Sequence, residues 1–216
     1  MDQAPVQLGQ VLAGKYRIER VLGAGGMGVV VAATHLELDE RVAVKFLLPE
    51  VVSNGEAVAR FLQEGRAAVK IRSEHIARVK DVGRLEDGAP YMVMEFLDGQ
   101  SLGALLRQQG PLPVALVADY LLQAIEAIAE AHALGIVHRD LKPANLFLTR
   151  REDGSPLVKI LDFGIAKLAD GVSHDMTQDG TIFGTPWYMS PEQASGKAKQ
   201  VGPPADLWAL GLISFR

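Results

Sequence analysis

Two aspartates and an asparagine in the middle of the chain have the residue types and spacing of a site for a divalent metal and a hydroxyl proton. Asp140 and Asn145 lie in the segment His138-Arg139-Asp140-Leu141-Lys142-Pro143-Ala144-Asn145, and Asp162 follows in Asp162-Phe163-Gly164. Hard cations such as Mg²⁺ take carboxylate and amide oxygens as ligands and keep positions for water and phosphate. Each aspartate alone could instead stabilise a turn. The two segments in this order favour convergence of the three side chains on one site.

A glycine-rich segment near the N-terminus suits the binding of phosphate groups. Gly23-Ala24-Gly25-Gly26-Met27-Gly28 has the pattern G-x-G-x-x-G, and glycine lets backbone N–H groups approach phosphates closely. A plain hairpin turn is one alternative. A dinucleotide-binding motif is another, but it requires a helix directly after the third glycine. Val29-Val30-Val31 follows instead, and β-branched residues favour a strand. The sequence therefore favours a strand–loop–strand cover over phosphates.

Lys45 is a candidate phosphate ligand on the strand that follows. It stands 17 residues after Gly28, at the end of Val42-Ala43-Val44-Lys45. A lysine among apolar strand residues often extends its ammonium group to solvent, whereas one that points into a cleft needs an acidic partner. Glu64 is the best candidate partner, although alone it could be a solvated helix residue.

The elements that must position these residues change in type along the chain. Periodicity and turn residues predict a strand-rich first half and a helix-rich second half, hence an α+β fold with a small antiparallel sheet and a cleft between two lobes. The predicted strands are Tyr16–Gly23, Val29–His35, Arg41–Leu48, Ile76–Gly83, Tyr91–Phe96, Leu146–Leu148 and Val158–Leu161. The predicted helices are Glu56–Arg72, Ser101–Gln109, Val114–Leu134 and one that begins at Pro203.

Composition excludes several classes of protein. Of 216 residues, 48% are hydrophobic and 22% are charged, which is typical of a globular domain and excludes general disorder. The net charge of −4 argues against nucleic acid as the main partner. Absence of cysteine excludes disulfides, cysteine nucleophiles and cysteine-based metal sites. No signal peptide and no membrane segment are expected, so we expect a cytoplasmic protein.

The motifs together resemble those of the eukaryotic-type serine/threonine protein kinases, especially the bacterial members. The matching residues occur in the family's order from about Tyr16 to the end: Gly23, Gly25, Gly28 and Val30, then Val42–Lys45, His138–Asn145, Asp162–Gly164 and Ser190-Pro191-Glu192. The resemblance implies one catalytic domain over residues 1–216. Its smaller lobe, at about 10–97, would have an antiparallel sheet and one main helix, and its helical lobe would cover about 98–216.

The resemblance also implies ATP-dependent phosphorylation of serine and threonine hydroxyls on proteins. Lys45, paired to Glu64, would bind the α- and β-phosphates. Asp140 would be the base, and Lys142 would contact the γ-phosphate. Asn145 and Asp162 would hold Mg²⁺, which Mn²⁺ could replace. The other implied nucleotide contacts are Leu22, Gly23, Ala24, Gly25, Gly26, Met27 and Gly28 over the phosphates, Val30, Ala43 and Phe147 around the adenine, Met94 at the back pocket, and the backbone of Glu95 and Leu97 at the adenine edge. Met94 could equally be a core residue.

Regulation by phosphorylation is implied by Arg139, which directly precedes the base. A phosphate on Thr177 or Thr181 would pair with its guanidinium group and order the surrounding loop. Thr185 would touch Asp140 in the substrate pocket. Together with Lys142, the segment Gly184-Thr185-Pro186 implies serine or threonine acceptors rather than tyrosine.

Two departures from the family pattern stand near the C-terminus. Ser190 replaces the usual alanine, and the chain ends ten residues after Asp206, where the family continues with further helices. We therefore expect a catalytic domain truncated after the start of its central helix. Asp206 would brace the backbone of His138 and Arg139. Exposure is expected for Trp208, Leu210, Leu212, Ile213 and Phe215, a surface for a homodimer or another partner.

The alternative function is a non-catalytic fragment that binds nucleotide or a partner. A dinucleotide-dependent oxidoreductase is disfavoured by the strand after Gly28.

Overall fold

A computed structural model describes residues 7–25, 28–85, 88–163, 186–197 and 200–215. Its described residues form two compact units, one within residues 1–69 and 77–97 and the other within 70–76 and 98–216. The first unit contains β1 (Val11–Leu12), β2 (Tyr16–Ala24), β3 (Gly28–His35), β4 (Glu40–Leu47), α1 (Pro49–Val52), α2 (Gly55–Lys70), β5 (Val79–Arg84) and β6 (Pro90–Glu95). The second contains β7 (Gln100–Ser101), α3 (Leu102–Gln109), α4 (Val114–Ala133), β8 (Leu146–Arg150), β9 (Pro156–Ile160), α5 (Pro191–Ala194) and α6 (Pro203–Ser214).

The sheet of the first unit is antiparallel throughout and has the strand order β1-β2-β3-β4-β6-β5. In its register Val31 lies opposite Val44, and both side chains are buried. Because side chains alternate between the two faces of a strand, the neighbouring register pair Val30 and Lys45 lies on the other face. The valine-rich pattern of these strands thus supplies one apolar face and one face that can carry polar groups. The predicted α+β class is confirmed.

Helix α2 begins at Gly55, one residue before the predicted start, and ends two residues before the predicted end. The Asn54 side chain accepts hydrogen bonds from the N–H groups of Glu56 and Ala57 at 3.0 and 3.2 Å, which satisfies two of the donors that a helix start leaves unpaired. The helix ends at Lys70, and the N–H of Arg72 donates to the Glu130 carboxylate at 2.6 Å. This bond to a residue of α4 replaces the helical continuation.

The predicted strand Ile76–Gly83 begins three residues later than expected, at Val79. Residues 70–76 belong to the second unit, and Ile76 pairs there with Ile160 in an isolated parallel bridge. The carbonyl of His75 also accepts the N–H of Ile160 at 2.8 Å. A strand pattern continuous in sequence is therefore divided between two units by its hydrogen-bond partners.

The core of the second unit forms between α4, α6 and the sheet β7-β8-β9. Ile128, Leu146 and Ile160 are almost completely buried at its centre. Sharp ends fit the sequence pattern, since Gly110 and Gly135 follow α3 and α4 with positive φ angles of 75° and 73°. Among the described residues, no helix has both the length and the apolar character that crossing a bilayer requires.

Helix α6 corrects one expectation about exposed residues. Leu210 and Ile213, expected to be exposed, are 4% and 2% exposed because they belong to the core that α6 shares with α4. Trp208 and Phe215 lie on the other side of the helix and are 46% and 92% exposed, while Leu212 is partly buried. That a second copy or another partner covers this helix stays a prediction.

Candidate active site

In the first unit, the structure brings Lys45 and Glu64 together as an ion pair. The Lys45 ammonium on β4 lies 3.4 Å from a Glu64 carboxylate oxygen on α2. Their side chains are 17% and 13% exposed, so water screens the pair less than it screens a surface ion pair. Phe61, one helical turn before Glu64, packs with Leu47 and Met92 and holds α2 on the sheet. Apolar packing thus sets the distance across which the charges meet.

Gly65 and Met92 are two residues of this region that the sequence reasoning missed. Met92 lies opposite Lys45 on the neighbouring strand β6, and Gly65 directly follows Glu64. A Cβ atom at position 65 would lie 2.8 Å from the Met92 Cε. The missing side chain lets α2 approach the sheet closely beside the ion pair. A glycine within an otherwise strong helix pattern was the available signal.

The three motif glycines that the structure describes differ in their surroundings. The amide of Gly25 donates to the carbonyl of Gly28 at 2.9 Å, which joins the end of β2 to the start of β3. A Cβ atom on Gly23 or Gly25 would meet nothing within 4 Å, whereas one on Gly28 would lie 2.4 Å from the backbone oxygen of Phe46. Gly28 is therefore required by the contact between β3 and β4. Leu22 and Ala24 are exposed, and Gly26 and Met27 lie outside the described residues.

Of the residues predicted to contact adenine, Val30, Ala43, Met94, Glu95 and Leu97 belong to the first unit and Phe147, on β8, belongs to the second. Strand alternation places Val30 and Ala43 on the face of Lys45. Met94 lies opposite Ala43 and packs partly against the apolar cluster of α2. The N–H of Glu95 donates to the Arg78 carbonyl at 2.9 Å. An adenine contact by Glu95 would therefore have to use its carbonyl.

In the second unit, the predicted base, cation and amide converge. The Lys142 ammonium lies 2.9 Å from an Asp140 carboxylate oxygen. The Asn145 amide nitrogen donates to the backbone carbonyl of Asp140 at 2.9 Å and to its carboxylate at 3.4 Å. Asn145 is buried, and Asp140 is partly exposed. The Asp140 carboxylate thus lies beside the Lys142 ammonium group, and the Asn145 amide binds the Asp140 backbone.

Asp206 organises the backbone before Asp140, which confirms the predicted brace. Its carboxylate accepts the N–H groups of His138 and Arg139 at 2.8 and 2.7 Å. The His132 Nε2 lies 2.8 Å from the same carboxylate. Asp206 is 1% exposed, and a carboxylate so deeply buried needs several donors. Helix α6 therefore fixes the start of the segment that carries the base.

The ring of His138 contacts the backbone N–H of the predicted base and is neutral. Its Nδ1 lies 3.2 Å from the N–H of Asp140, and its Nε2 lies 3.1 Å from the carbonyl of Leu161. Because an N–H only donates and a carbonyl only accepts, the ring proton belongs on Nε2. Complete burial lowers the pKa of His138, against the opposing effect of the Asp206 charge. The ring also contacts Phe163, at 4.8 Å between centroids.

The two predicted metal ligands lie on adjoining backbone. The carbonyl of Asn145 accepts the N–H of Leu161 at 2.9 Å, one residue before Asp162. Asp162 is exposed and has a positive φ of 47°. Among residues 7–163 and 186–215 that are described, no group of three His, Cys, Asp or Glu side chains could form a metal cage. One carboxylate and one amide fit Mg²⁺, which usually completes its shell with phosphate and water.

Comparison with known proteins decides the family. The model of the protein kinase domain matches residues 16–216. The chain belongs to the protein kinase family. The predicted resemblance and kinase-like fold are confirmed. The crystal structure of the PknI kinase domain of Mycobacterium tuberculosis is similar, with a TM-score of 0.73 and 30% identity, over 97% of this chain and 75% of that one.

Curated relatives are serine/threonine-protein kinases of bacteria. Those named pkn3 and Pkn1, from Myxococcus xanthus, are 40% identical over 211 residues and 46% identical over 206 residues. PknA of Mycobacterium tuberculosis is 38% identical over 213 residues. The alignments cover 97%, 95% and 97% of this chain but 38%, 29% and 48% of the relatives. The chain thus spans less than half the length of these relatives.

Arg139 has an unusual environment in this kinase-family chain. Its backbone has a positive φ of 67°, and its buried Nε has no hydrogen-bond partner among the residues that the structure describes. Burial lowers the pKa of the guanidinium group, and the Asp206 charge opposes this shift. The predicted phosphorylation sites Thr177 and Thr181, the substrate-pocket residue Thr185 and Gly164 lie outside the described residues.

Proposed function

We propose that the chain transfers the γ-phosphoryl group of ATP to serine or threonine hydroxyls of proteins. The observation that carries this proposal is the convergence of Asp140, Lys142 and Asn145 on a backbone held by Asp206. Membership of the protein kinase family and relatives named serine/threonine-protein kinases support it. The proposal assigns both units to one catalytic domain, with lobes at about 10–97 and 98–216, and the use of ATP favours the cytoplasm.

Each residue has a role that its chemistry supports. Asp140 accepts the hydroxyl proton while the substrate oxygen bonds to the γ-phosphorus and the bond from that phosphorus to the β–γ bridging oxygen breaks. Lys142 neutralises charge on the transferring group. Lys45, held by Glu64, binds the α- and β-phosphates under the backbone of Gly23–Gly28. Asn145 and Asp162 hold Mg²⁺, or Mn²⁺ in its place, which offsets phosphate charge when it is bound.

The nucleotide and control residues complete the proposal. Val30, Ala43 and Phe147 enclose the adenine, Met94 borders it, and Glu95 and Leu97 bind its edge.

For control of the activity, we infer that Thr177 or Thr181 becomes phosphorylated and pairs with Arg139. The buried Nε of Arg139 supports this, since a partner of about −1.5 to −2 charge would offset the cost of its burial. Mass spectrometry after incubation with Mg-ATP should find phosphate there; phosphate confined to Ser53 or Ser101 would contradict it.

A transfer assay with γ-labelled ATP and Mg²⁺ tests the activity, with the chain itself and casein as acceptors. We expect label on serine and threonine, and a loss of at least about 100-fold in Asp140→Asn and Lys45→Met, because each removes a charge that orients or activates a reactant. Asp119→Asn, on the exposed side of α4, is the control and should keep full activity.

The alternative of a non-catalytic nucleotide-binding fragment gives a different result. Calorimetry would then detect Mg-ATP binding by the wild-type chain, while no label reaches any acceptor. Undiminished labelling by Lys45→Met or Asp140→Asn would remove that residue from its proposed role.

A further inference from the structure

Gln193 on α5 connects two segments of the second unit through its side-chain amide. Its Nε2 donates to the backbone carbonyl of Arg139 at 2.8 Å, and its Oε1 accepts the N–H of Ser190 at 3.0 Å. Since the carbonyl can only accept and the N–H can only donate, these partners determine which way the amide points. Gln193 was not among the residues that the sequence singled out.

The carbonyl that Gln193 binds belongs to a residue in an unusual conformation. Arg139 has a φ of 67°, a left-handed region that residues other than glycine adopt rarely. Its N–H is bound by Asp206 at 2.7 Å and its C=O by Gln193 at 2.8 Å. Both backbone polar groups of Arg139 are thus held, one from α6 and one from α5.

The peptide group that Gln193 holds leads directly into the base. It joins the C=O of Arg139 to the N–H of Asp140, and that N–H lies 3.2 Å from the His138 Nδ1. A peptide group is planar, so rotation of the Arg139 carbonyl also turns the Asp140 N–H away from His138. The direction of the Asp140 side chain changes with it.

We propose that Gln193 is a positioning residue for phosphoryl transfer, which holds the Arg139–Asp140 peptide so that the Asp140 carboxylate meets its acceptor hydroxyl. This inference rests on the proposed function. It predicts that Gln193 affects the rate of transfer more than nucleotide binding, because its amide binds the peptide that leads into the base, whereas the Lys45–Glu64 pair lies in the first unit.

The matched control is Gln123 on α4, which makes the same two kinds of bond elsewhere in the second unit. Its Oε1 accepts the N–H of Val158 at 2.9 Å, and its Nε2 donates to the carbonyl of Pro156 at 3.5 Å. Gln193→Glu and Gln123→Glu each replace the donating nitrogen with an oxygen that faces a carbonyl. Gln193→Met removes both bonds without adding charge.

Steady-state kinetics of the full chain measure the effect. For Gln193→Glu and Gln193→Met we expect kcat to fall about tenfold, the scale of one lost hydrogen bond, with KM for ATP changed less than about twofold. Thermal melting identifies any variant that fails to fold. Gln123→Glu should keep kcat within about twofold of wild type. Wild-type kcat in both folded Gln193 variants, or an equal loss in Gln123→Glu, would overturn the proposal.

Hydrogen–deuterium exchange separates this proposal from the proposed function, since it needs no activity. The peptide covering residues 136–141 should exchange faster in both Gln193 variants and at the wild-type rate in Gln123→Glu. If the wild-type chain transfers no phosphate, the proposed function fails and this exchange alone decides the holding role of Gln193. Unchanged exchange in that peptide would overturn it.

Discussion

The ion pair of the first unit and the segment around Asp140 in the second unit are stabilised in different ways. Lys45 and Glu64 meet through their side chains at 3.4 Å, and the packing of Phe61 against the sheet sets their distance. Around Asp140, side chains bind the backbone itself: the buried Asp206 binds the N–H of Arg139 and the partly buried Gln193 binds its carbonyl. The distance between Lys45 and Glu64 can change when helix α2 shifts. The backbone of Arg139, whose N–H and C=O are both hydrogen-bonded, is held in a single conformation.

Because of this difference, we expect substitutions around Asp140 to affect mainly the stability of the fold and substitutions of the ion pair to affect mainly the activity. The carboxylate of Asp206 is buried and satisfies backbone donors, so its loss leaves several polar groups unpaired. The side chains of Lys45 and Glu64 stay 17% and 13% exposed, so water can still reach the charge that remains when its partner is lost, and the loss should affect the reaction more than the fold. Four substitutions or conditions test this separation.

The largest effect on stability is expected for Asp206→Ala. It leaves the N–H groups of His138 and Arg139 buried without their acceptor, so the free energy of unfolding should fall by about 3–5 kcal/mol. Urea denaturation measures the loss, with the exposed Asp119→Ala on α4 as the control. A loss below about 1 kcal/mol would contradict the view that Asp206 holds this backbone.

Glu64→Gln should show the opposite balance of effects. The glutamine keeps the size of the side chain but removes the charge that holds Lys45, and we expect kcat/KM for ATP to fall about 100-fold. The free energy of unfolding should fall less than for Asp206→Ala, by about 1–2 kcal/mol, because the pair lies between a surface and a fully buried ion pair. Glu56→Gln, on the exposed start of the same helix, is the control for both measurements. A large loss of stability with full activity would reverse the comparison.

Gly28→Ala should destabilise the first unit by about 1–3 kcal/mol, because its Cβ would meet the backbone oxygen of Phe46 at 2.4 Å and the strands must separate. Gly25→Ala meets nothing within 4 Å and should leave stability nearly unchanged. Thermal melting of the two variants distinguishes a glycine needed for strand packing from one that only leaves an open surface. Equal melting temperatures would refute the steric argument.

The smallest effect expected is the loss of folding stability at acidic pH. Burial lowers the pKa of His138 in the folded chain, so between its ordinary pKa of about 6.5 and its folded pKa the unfolded chain binds a proton that the folded chain does not. Stability should therefore fall as the pH drops below about 6.5, by about 1 kcal/mol over one pH unit. His138→Gln lacks this proton and should lose less between about pH 7 and 5.5. Parallel urea titrations of both proteins make the comparison.

Local sequence signals predicted most elements because their causes lie within a few residues. The Ser101 side chain accepts the N–H of Ala104 at 3.1 Å and begins α3, and Asn54 begins α2 in the same way. Glycine at the ends of α3 and α4 tolerates the positive φ that terminates a helix. The predicted start of a strand at Ile76 was wrong, since that residue pairs with Ile160, which is 84 residues away in sequence.

Residue types and order alone predicted the family, which the comparisons confirm. They also supplied the proposals that Asp140 is the base and that Asn145 and Asp162 hold the metal, because this chemistry needs particular side chains at short, regular spacings. Tertiary structure decided which backbone groups these residues depend on. Gln193 reaches Arg139 and Met92 meets Gly65 over sequence separations of 54 and 27 residues. The contact of Asp206 with His138, 68 residues away, was expected only from the family resemblance. Such contacts follow from how elements pack, and no local pattern of residues specifies them.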